Sequence, residues 1–296
     1  MSGREPFGAR LAAARAARGP LCVGIDPHPA LLDRWGLPDD VQGLERFALT
    51  VVDALAGRVA VLKPQVAFFE RHGSRGIAVL ERVLADAASA GCLTIADAKR
   101  GDIGSTMAAY ADAFAGEGSP LAADAVTASP YLGFGSLDPL LDLAAATGRG
   151  VFVLALTSNP EGAQVQHAVG NDGRAVAQAV LDAVRSRNAA SGQGPGQGTG
   201  RGSVGAVVGA TIAAGRWDLR TGGPLLAPGI GAQGAGAGDL RRIFEGVLDQ
   251  VLPSTSREVL GAGPRPSDLA AAADRALDAV RDVLSTPALP PSAGSG

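Results

Sequence analysis

The chain has 296 residues, 46% of them hydrophobic and only 4% aromatic, so a sizeable core must be built mainly from Ala, Val and Leu. The formal net charge of -3, from 26 basic and 29 acidic residues, gives no electrostatic basis for binding nucleic acid and no polybasic segment for an anionic membrane. No apolar run reaches the roughly 18 residues of a membrane span, and no signal-peptide core opens the chain, so a soluble cytoplasmic protein is expected.

Short apolar runs alternate with amphipathic stretches along the whole sequence. The first predicted strand, 21–25, ends at Asp26, and helical spacing covers 41–57. A second strand at 59–62 ends at Lys63, and a helix follows at 74–90. The third strand is 92–96, with a helix near 104–115, and the fourth is 125–128, with a helix near 136–146. The fifth is 151–155, with a helix near 172–188. The sixth, seventh and eighth are 204–208, 224–227 and 247–252, and a last helix fills 267–284. Strands that alternate with helices predict a parallel α/β fold. Eight such units in this length fit a (β/α)8 TIM barrel of about 250 residues plus extensions. A doubly wound open sheet is the alternative.

One barrel domain is expected over 1–285. The low-complexity segment 189–203 reads as a flexible surface insertion before the sixth strand, and the Pro-, Ser- and Gly-rich stretch 286–296 as a disordered tail. Cys22 and Cys92, the only cysteines, fall in apolar runs and read as buried thiols. His28, His72 and His167 are far apart and show no metal-ligand spacing.

Residue types that carry chemistry cluster just past the predicted strands: Asp26, Lys63, Asp97, Lys99, Ser158, Gln233 and Arg257. In a barrel these positions converge on the C-terminal mouth. The densest group is Asp97, Lys99 and Asp102, all within six residues. Asp97 and Lys99, two apart at a strand end, share a face. Asp102 follows on a turn with Gly101 and Gly104. The group is either an ion-pair cap on the strand or a preorganised charge array. A lysine between two carboxylates is held charged, which suits a fixed cation and proton donor better than a Schiff-base nucleophile. Lys63 is either an exposed strand-end lysine or an extension of the array to Lys–Asp–Lys–Asp. Asp26 either caps the turn before Pro27 or accepts hydrogen bonds from sugar hydroxyls.

Gly229-Ile230-Gly231-Ala232-Gln233-Gly234 matches G-x-G-x-x-G, so a dinucleotide fold must be considered. Its position after the seventh strand is wrong for that fingerprint, and the acidic residue about 20 positions on, Asp249, falls inside the predicted eighth strand. A phosphate loop fits better, with Arg257 as a guanidinium clamp. Ser158 has no partners for a nucleophilic triad and reads as a hydrogen-bonding group. Phe68, Phe69 and Trp217 read as packing residues.

Asp97-Ala98-Lys99-Arg100-Gly101-Asp102-Ile103-Gly104-Ser105-Thr106 closely resembles the D-x-K-R-x-D-I-x-x-T signature of the orotidine 5'-phosphate decarboxylase family. Further matches are Val23-Gly24-Ile25-Asp26-Pro27-His28, Lys63-Pro64-Gln65, Ser129-Pro130-Tyr131-Leu132-Gly133, Thr157-Ser158-Asn159-Pro160 and Ala227-Pro228-Gly229-Ile230-Gly231. They look like its longer bacterial (type 2) subgroup and span about residues 18–285. The resemblance implies a dimeric (β/α)8 barrel that needs no metal or organic cofactor and converts orotidine 5'-phosphate to UMP and CO2. It implies Lys99 as proton donor to C6 of the pyrimidine and Asp97 beside the departing carboxylate. It places Lys63 and Asp26 at the ribose, Ser158 at the pyrimidine amide, and Gln233 and Arg257 at the phosphate, with Pro228 among the substrate contacts. Asp102, Ile103 and Thr106 are expected to reach the neighbouring subunit's site. Three other readings stay in play: a magnesium-dependent sugar-phosphate decarboxylase or aldolase sharing D-x-K-x-x-D, a non-catalytic nucleotide-phosphate binder, and a dehydrogenase.

Overall fold

The computed structural model describes residues 3–192, 201–229 and 237–285. Eight parallel strands close on themselves in sequence order: β1 (Cys22–Ile25), β2 (Val61–Pro64), β3 (Leu93–Arg100), β4 (Ala125–Ala128), β5 (Gly150–Leu156), β6 (Val204–Val208), β7 (Leu225–Pro228) and β8 (Val251–Thr255). β1 pairs with both β2 and β8, which closes the (β/α)8 barrel and leaves no open sheet edge. The expected fold class holds, and the doubly wound alternative falls.

Two apolar layers follow from strand alternation. Residues such as Val23, Leu62, Ala96 and Val126 point outward, against helices that include Val41–Leu55, Gly73–Ser89 and Pro266–Ser285. The intervening residues Cys22, Val61, Ile95, Ala125, Phe152, Val207, Leu226 and Leu252 fill the barrel's interior. A helix at Phe7–Arg18, not anticipated from the sequence, belongs to this inner cluster through Phe7, Leu11 and Ala14. Phe7 meets Phe152 edge-on at 5.9 Å, so the helix plugs the N-terminal end of the barrel.

Some boundaries differ from expectation. β2 includes Lys63, and β3 runs on through Asp97 and Lys99. The eighth strand begins at Val251, not Val247, and Asp249 lies in a 3-10 turn at Leu248–Gln250 rather than inside a strand. The fifth helix begins at Val176 and continues through Ala190, into the segment expected to be loop. Residues 193–200 of that segment, and the tail 286–296, lie outside the described residues. Both cysteines are free and buried, as expected. Among the described residues no helix is long and apolar enough to cross a membrane.

Candidate active site

Following each strand toward its C-terminal end turns the inner face from apolar to polar. On β1 and beyond, the inward positions are Cys22, Gly24 and Asp26; on β2, Val61, Lys63 and then Gln65; on β3, Ile95, Asp97 and Lys99; on β4, Ala125 and Thr127. The same period of two that builds the core therefore delivers the chemistry to one mouth.

Asp97 is the hub. Its Oδ2 accepts from Lys63 Nζ at 2.8 Å and from Gln65 Nε2 at 3.0 Å. Its Oδ1 accepts from Lys99 Nζ at 2.6 Å and from Thr127 Oγ1 at 2.9 Å. Lys63 and Asp97 are buried, whereas the Lys99 side chain keeps 44% of its surface exposed. Lys63 is thus not an exposed strand-end lysine. The array is a triad within the chain, Lys63–Asp97–Lys99, with its outer lysine facing the open mouth.

Lys99 reaches this position through an irregular backbone. The β3–β4 register shifts between Ala96 and Arg100, and Lys99 has φ 49°, the only non-glycine with positive φ among the described residues. A side chain in that region costs of order 1–3 kcal/mol and persists only where its surroundings enforce it. Here the Lys99 backbone N donates to Thr127 Oγ1 at 2.9 Å. Arg100 pairs with Glu70 and lies over the rings of Tyr110 and Phe114. These contacts fix the chain on both sides of the lysine.

Burial acts against both buried charges, pushing an ammonium down and a carboxyl up. At Lys63 the carboxylates of Asp97 and Asp26 outweigh burial and raise it above the ordinary lysine range. At Asp97, Lys63 and then Lys99 outweigh burial and hold the carboxyl well below its usual range. The mouth therefore carries a fixed carboxylate between two cations. Cys22 lies beneath them, and burial pushes its thiol up to about 11.

Asp26 follows β1 by one residue, and its Oδ1 is buried with no partner. Ser256 Oγ, just past β8, is in the same condition. A side chain at Gly24 would come within 3.0 Å of both the Asp26 carboxylate and Ser256 Cβ, so glycine there leaves room for two polar groups aimed at the mouth. Ser158 is exposed two residues beyond β5, and Pro228 is the last residue of β7. Arg257 is exposed two residues beyond β8. Gln233, with most of the glycine-rich loop, lies outside the described residues.

The sequence expectation that two carboxylates flank Lys99 is corrected. Only Asp97 pairs with it; Asp102 Oδ1 accepts from the Ile103 backbone N at 2.8 Å and enters no ion pair among the described residues. The chain turns away after β3 because Gly101 packs against Ser129, where a Cβ would lie 2.3 Å from the carbonyl oxygen. Asp102 thus leads into the exposed start of the helix Gly104–Ala115, with Ile103 and Thr106 beside it. Gln65 and Thr127 were missed in the sequence. Each is a polar residue in phase with the inner face of its strand, which was the available signal. Among the described residues no group of three or more His, Cys, Asp or Glu is placed to hold a metal ion.

Comparison with known proteins fits this arrangement. A family model described as orotidine 5'-phosphate decarboxylase / HUMPS matches residues 19–273. The chain belongs to the orotidine 5'-phosphate decarboxylase/HUMPS family. Within it, the chain is 62% identical over 280 residues to the orotidine 5'-phosphate decarboxylase of Salinispora arenicola (strain CNS-205), covering 95% of this chain and 99% of that one. Identity to the Streptomyces coelicolor (strain ATCC BAA-471 / A3(2) / M145) protein of the same name is 58%, with the same coverage. A crystallised protein from Streptomyces avermitilis, described as a candidate orotidine 5'-phosphate decarboxylase, superposes with a TM-score of 0.91 at 57% identity. That match covers 97% of this chain and 98% of the crystallised one.

Proposed function

We propose that this chain decarboxylates orotidine 5'-phosphate to UMP and CO2. The observation that carries the reading is the Lys63–Asp97–Lys99 triad at the barrel mouth, in a chain matched nearly end to end by proteins named for that activity. The bond from C6 of the pyrimidine to its carboxylate breaks, CO2 leaves, and the electron pair stays on C6. The Lys99 ammonium stabilises that developing charge and then transfers a proton to C6, leaving a neutral amine that solvent reprotonates. Asp97 holds Lys99 in place and lies beside the departing carboxylate.

Lys63 and Asp26 bind the ribose, Ser158 the pyrimidine amide, and Gln233 and Arg257 the phosphate, with Pro228 lining the site. Phosphate binding remote from C6 supplies energy that assembles the reacting geometry. No metal or organic cofactor takes part in this reading.

The reading includes a homodimer in which Asp102, Ile103 and Thr106 enter the partner's site. Its support is the freedom of Asp102 from Lys99 and the exposure of Ile103 (62%), Tyr131 (77%) and Leu132 (53%) on the adjoining loops after β3 and β4. It also places the enzyme in the cytoplasm, where two free thiols remain reduced. The deciding experiment follows the loss of orotidine 5'-phosphate absorbance with and without EDTA. Equal turnover in both supports the reading. Loss of turnover in EDTA favours the magnesium-dependent sugar-phosphate enzymes instead.

A further inference from the structure

The end of the barrel opposite the triad holds a second concentration of charge. Asp124, immediately before β4, uses Oδ2 to accept from the Thr94 backbone N at 2.9 Å and from Thr94 Oγ1 at 3.3 Å. Its Oδ1 is taken by Arg10 and lies 3.6 Å from Arg4 Nη1. Arg10 donates in addition to the carbonyls of Gly148, at 2.9 Å, and Glu5, at 3.0 Å. Both oxygens of Asp124 are therefore committed before a third guanidinium, Arg149, is considered.

Arg149 is 7% exposed, and its Nε is buried with no partner. No ion pair joins it to a carboxylate among the described residues. Glu117 and Asp124 act on it only at a distance, while Arg4 and Arg10 repel it; burial and then Arg4 lower its pKa below the ordinary value. Its neighbour Gly148 packs directly on the segment bearing Arg4, where a Cβ would lie 2.8 Å from the Arg4 carbonyl oxygen. A guanidinium N–H withdrawn from water without an acceptor, as at Arg149 Nε, is unfavourable. Arg4 and Arg10 lie near enough to repel it and both touch its neighbour Gly148, and guanidiniums gathered in this way suit an oxyanion, which accepts paired N–H donors.

We propose that Arg149, with Arg4 and Arg10 beside it, forms an anion site at the N-terminal end of the barrel that takes a phosphate group. Asp124 anchors Arg10 and Arg4 for this purpose, since its own acceptor positions are spent. The site is separate from the mouth. Thr127, which hydrogen-bonds Asp97, lies further along the strand that Asp124 precedes.

The test compares wild type with Arg149→Met and Arg149→Gln, titrated with inorganic phosphate and separately with glycerol 3-phosphate against chloride of equal ionic strength. Melting temperature and equilibrium dialysis are the readouts. Phosphate bound at the mouth is common to all three proteins, so the difference between them reports the new site. Wild type should bind one phosphate per chain more than either variant, with a stabilisation of about 2 °C at ten times Kd that the variants lack. In phosphate-free buffer the variants should melt no lower than wild type, because a buried donor without a partner has been removed. A response to inorganic phosphate alone would assign the free ion, and a stronger one to the ester a phosphorylated metabolite. Identical phosphate responses in all three proteins would overturn the proposal. So would failure of both variants to fold, which would make Arg149 a structural tether.

Discussion

Lys63 Nζ donates a 2.8 Å hydrogen bond to Asp97 Oδ2 although the two side chains retain only 8% and 10% of their exposure. Removing one partner of such a pair strands the other charge, at a cost of about 3–5 kcal/mol. Lys63→Met should therefore lower the urea midpoint more than the double change Lys63→Met/Asp97→Asn does. A double change that merely adds the two single losses would show that the charges do not depend on each other. The pair's contribution is fully present between the ordinary unfolded values, about pH 4 for Asp and about pH 10.4 for Lys. It is lost as pH falls through the depressed Asp97 value, and as pH rises through the raised Lys63 value. The stability difference between wild type and the double variant should accordingly stay flat from pH 5 to pH 9.

If Lys99 supplies both the cation and the proton, as proposed, Lys99→Ala should reduce kcat by at least about 10³. Binding of UMP should survive in part, because the proposed ribose and phosphate contacts come from other residues. Turnover measured by absorbance and UMP affinity measured by calorimetry separate the two effects. Near-normal turnover would remove Lys99 from the chemistry.

The strand rhythm was legible because an inward and an outward apolar layer make most strands a short, nearly continuous apolar run. The eighth strand was read too early for a physical reason. Val247 and Leu248 are apolar yet belong to a turn, while Pro253, Ser254 and Thr255 look like loop residues but are buried in β8. The helix Phe7–Arg18 was missed because its function, plugging the barrel, is tertiary and leaves only a short apolar stripe. Asp97 and Lys99 were found by their charge. The hydroxyl that organises them was not, because Thr127 is a common strand residue and its partner lies 30 positions away.

Thr127 is a positioning residue whose hydroxyl accepts from the Lys99 backbone and donates to Asp97. Thr127→Val keeps the shape and removes both bonds, at about 1.5–3 kcal/mol for a bond to a charged group. The left-handed backbone at Lys99 should then relax, and kcat should fall at least tenfold with a smaller change in KM. Thr127→Ser should restore most of the loss. Equal falls in the Val and Ser variants would point to packing instead.

The two thiols should be inert in the folded protein. Burial pushes Cys22 up to about 11 and Cys92 up to about 12, so neither forms appreciable thiolate at pH 8. A disulfide reagent should titrate no thiol in native buffer and both in urea. Rapid labelling of Cys22 without denaturant would mean that the barrel floor opens more readily than its packing implies.

Asp102 allows the shared-site reading to be tested without a structure of the assembly. Among the described residues of one chain it bonds only to the adjacent Ile103 backbone and leaves Lys99 to Asp97. If it serves the partner's site, each active site draws Lys99 from one chain and Asp102 from the other. Lys99→Ala and Asp102→Ala proteins should each be nearly inactive. After mixing and subunit exchange, half of the chains sit in mixed dimers, and each mixed dimer has one site with both residues intact. Activity should recover to about a quarter of wild type per site, because random pairing makes half of the dimers mixed and half of their sites competent. Exchange must be followed independently, for example by native mass spectrometry of differently tagged chains. Proven exchange with no recovery would place Asp102 in its own chain's site, since a mixed dimer would then hold one defect in each site.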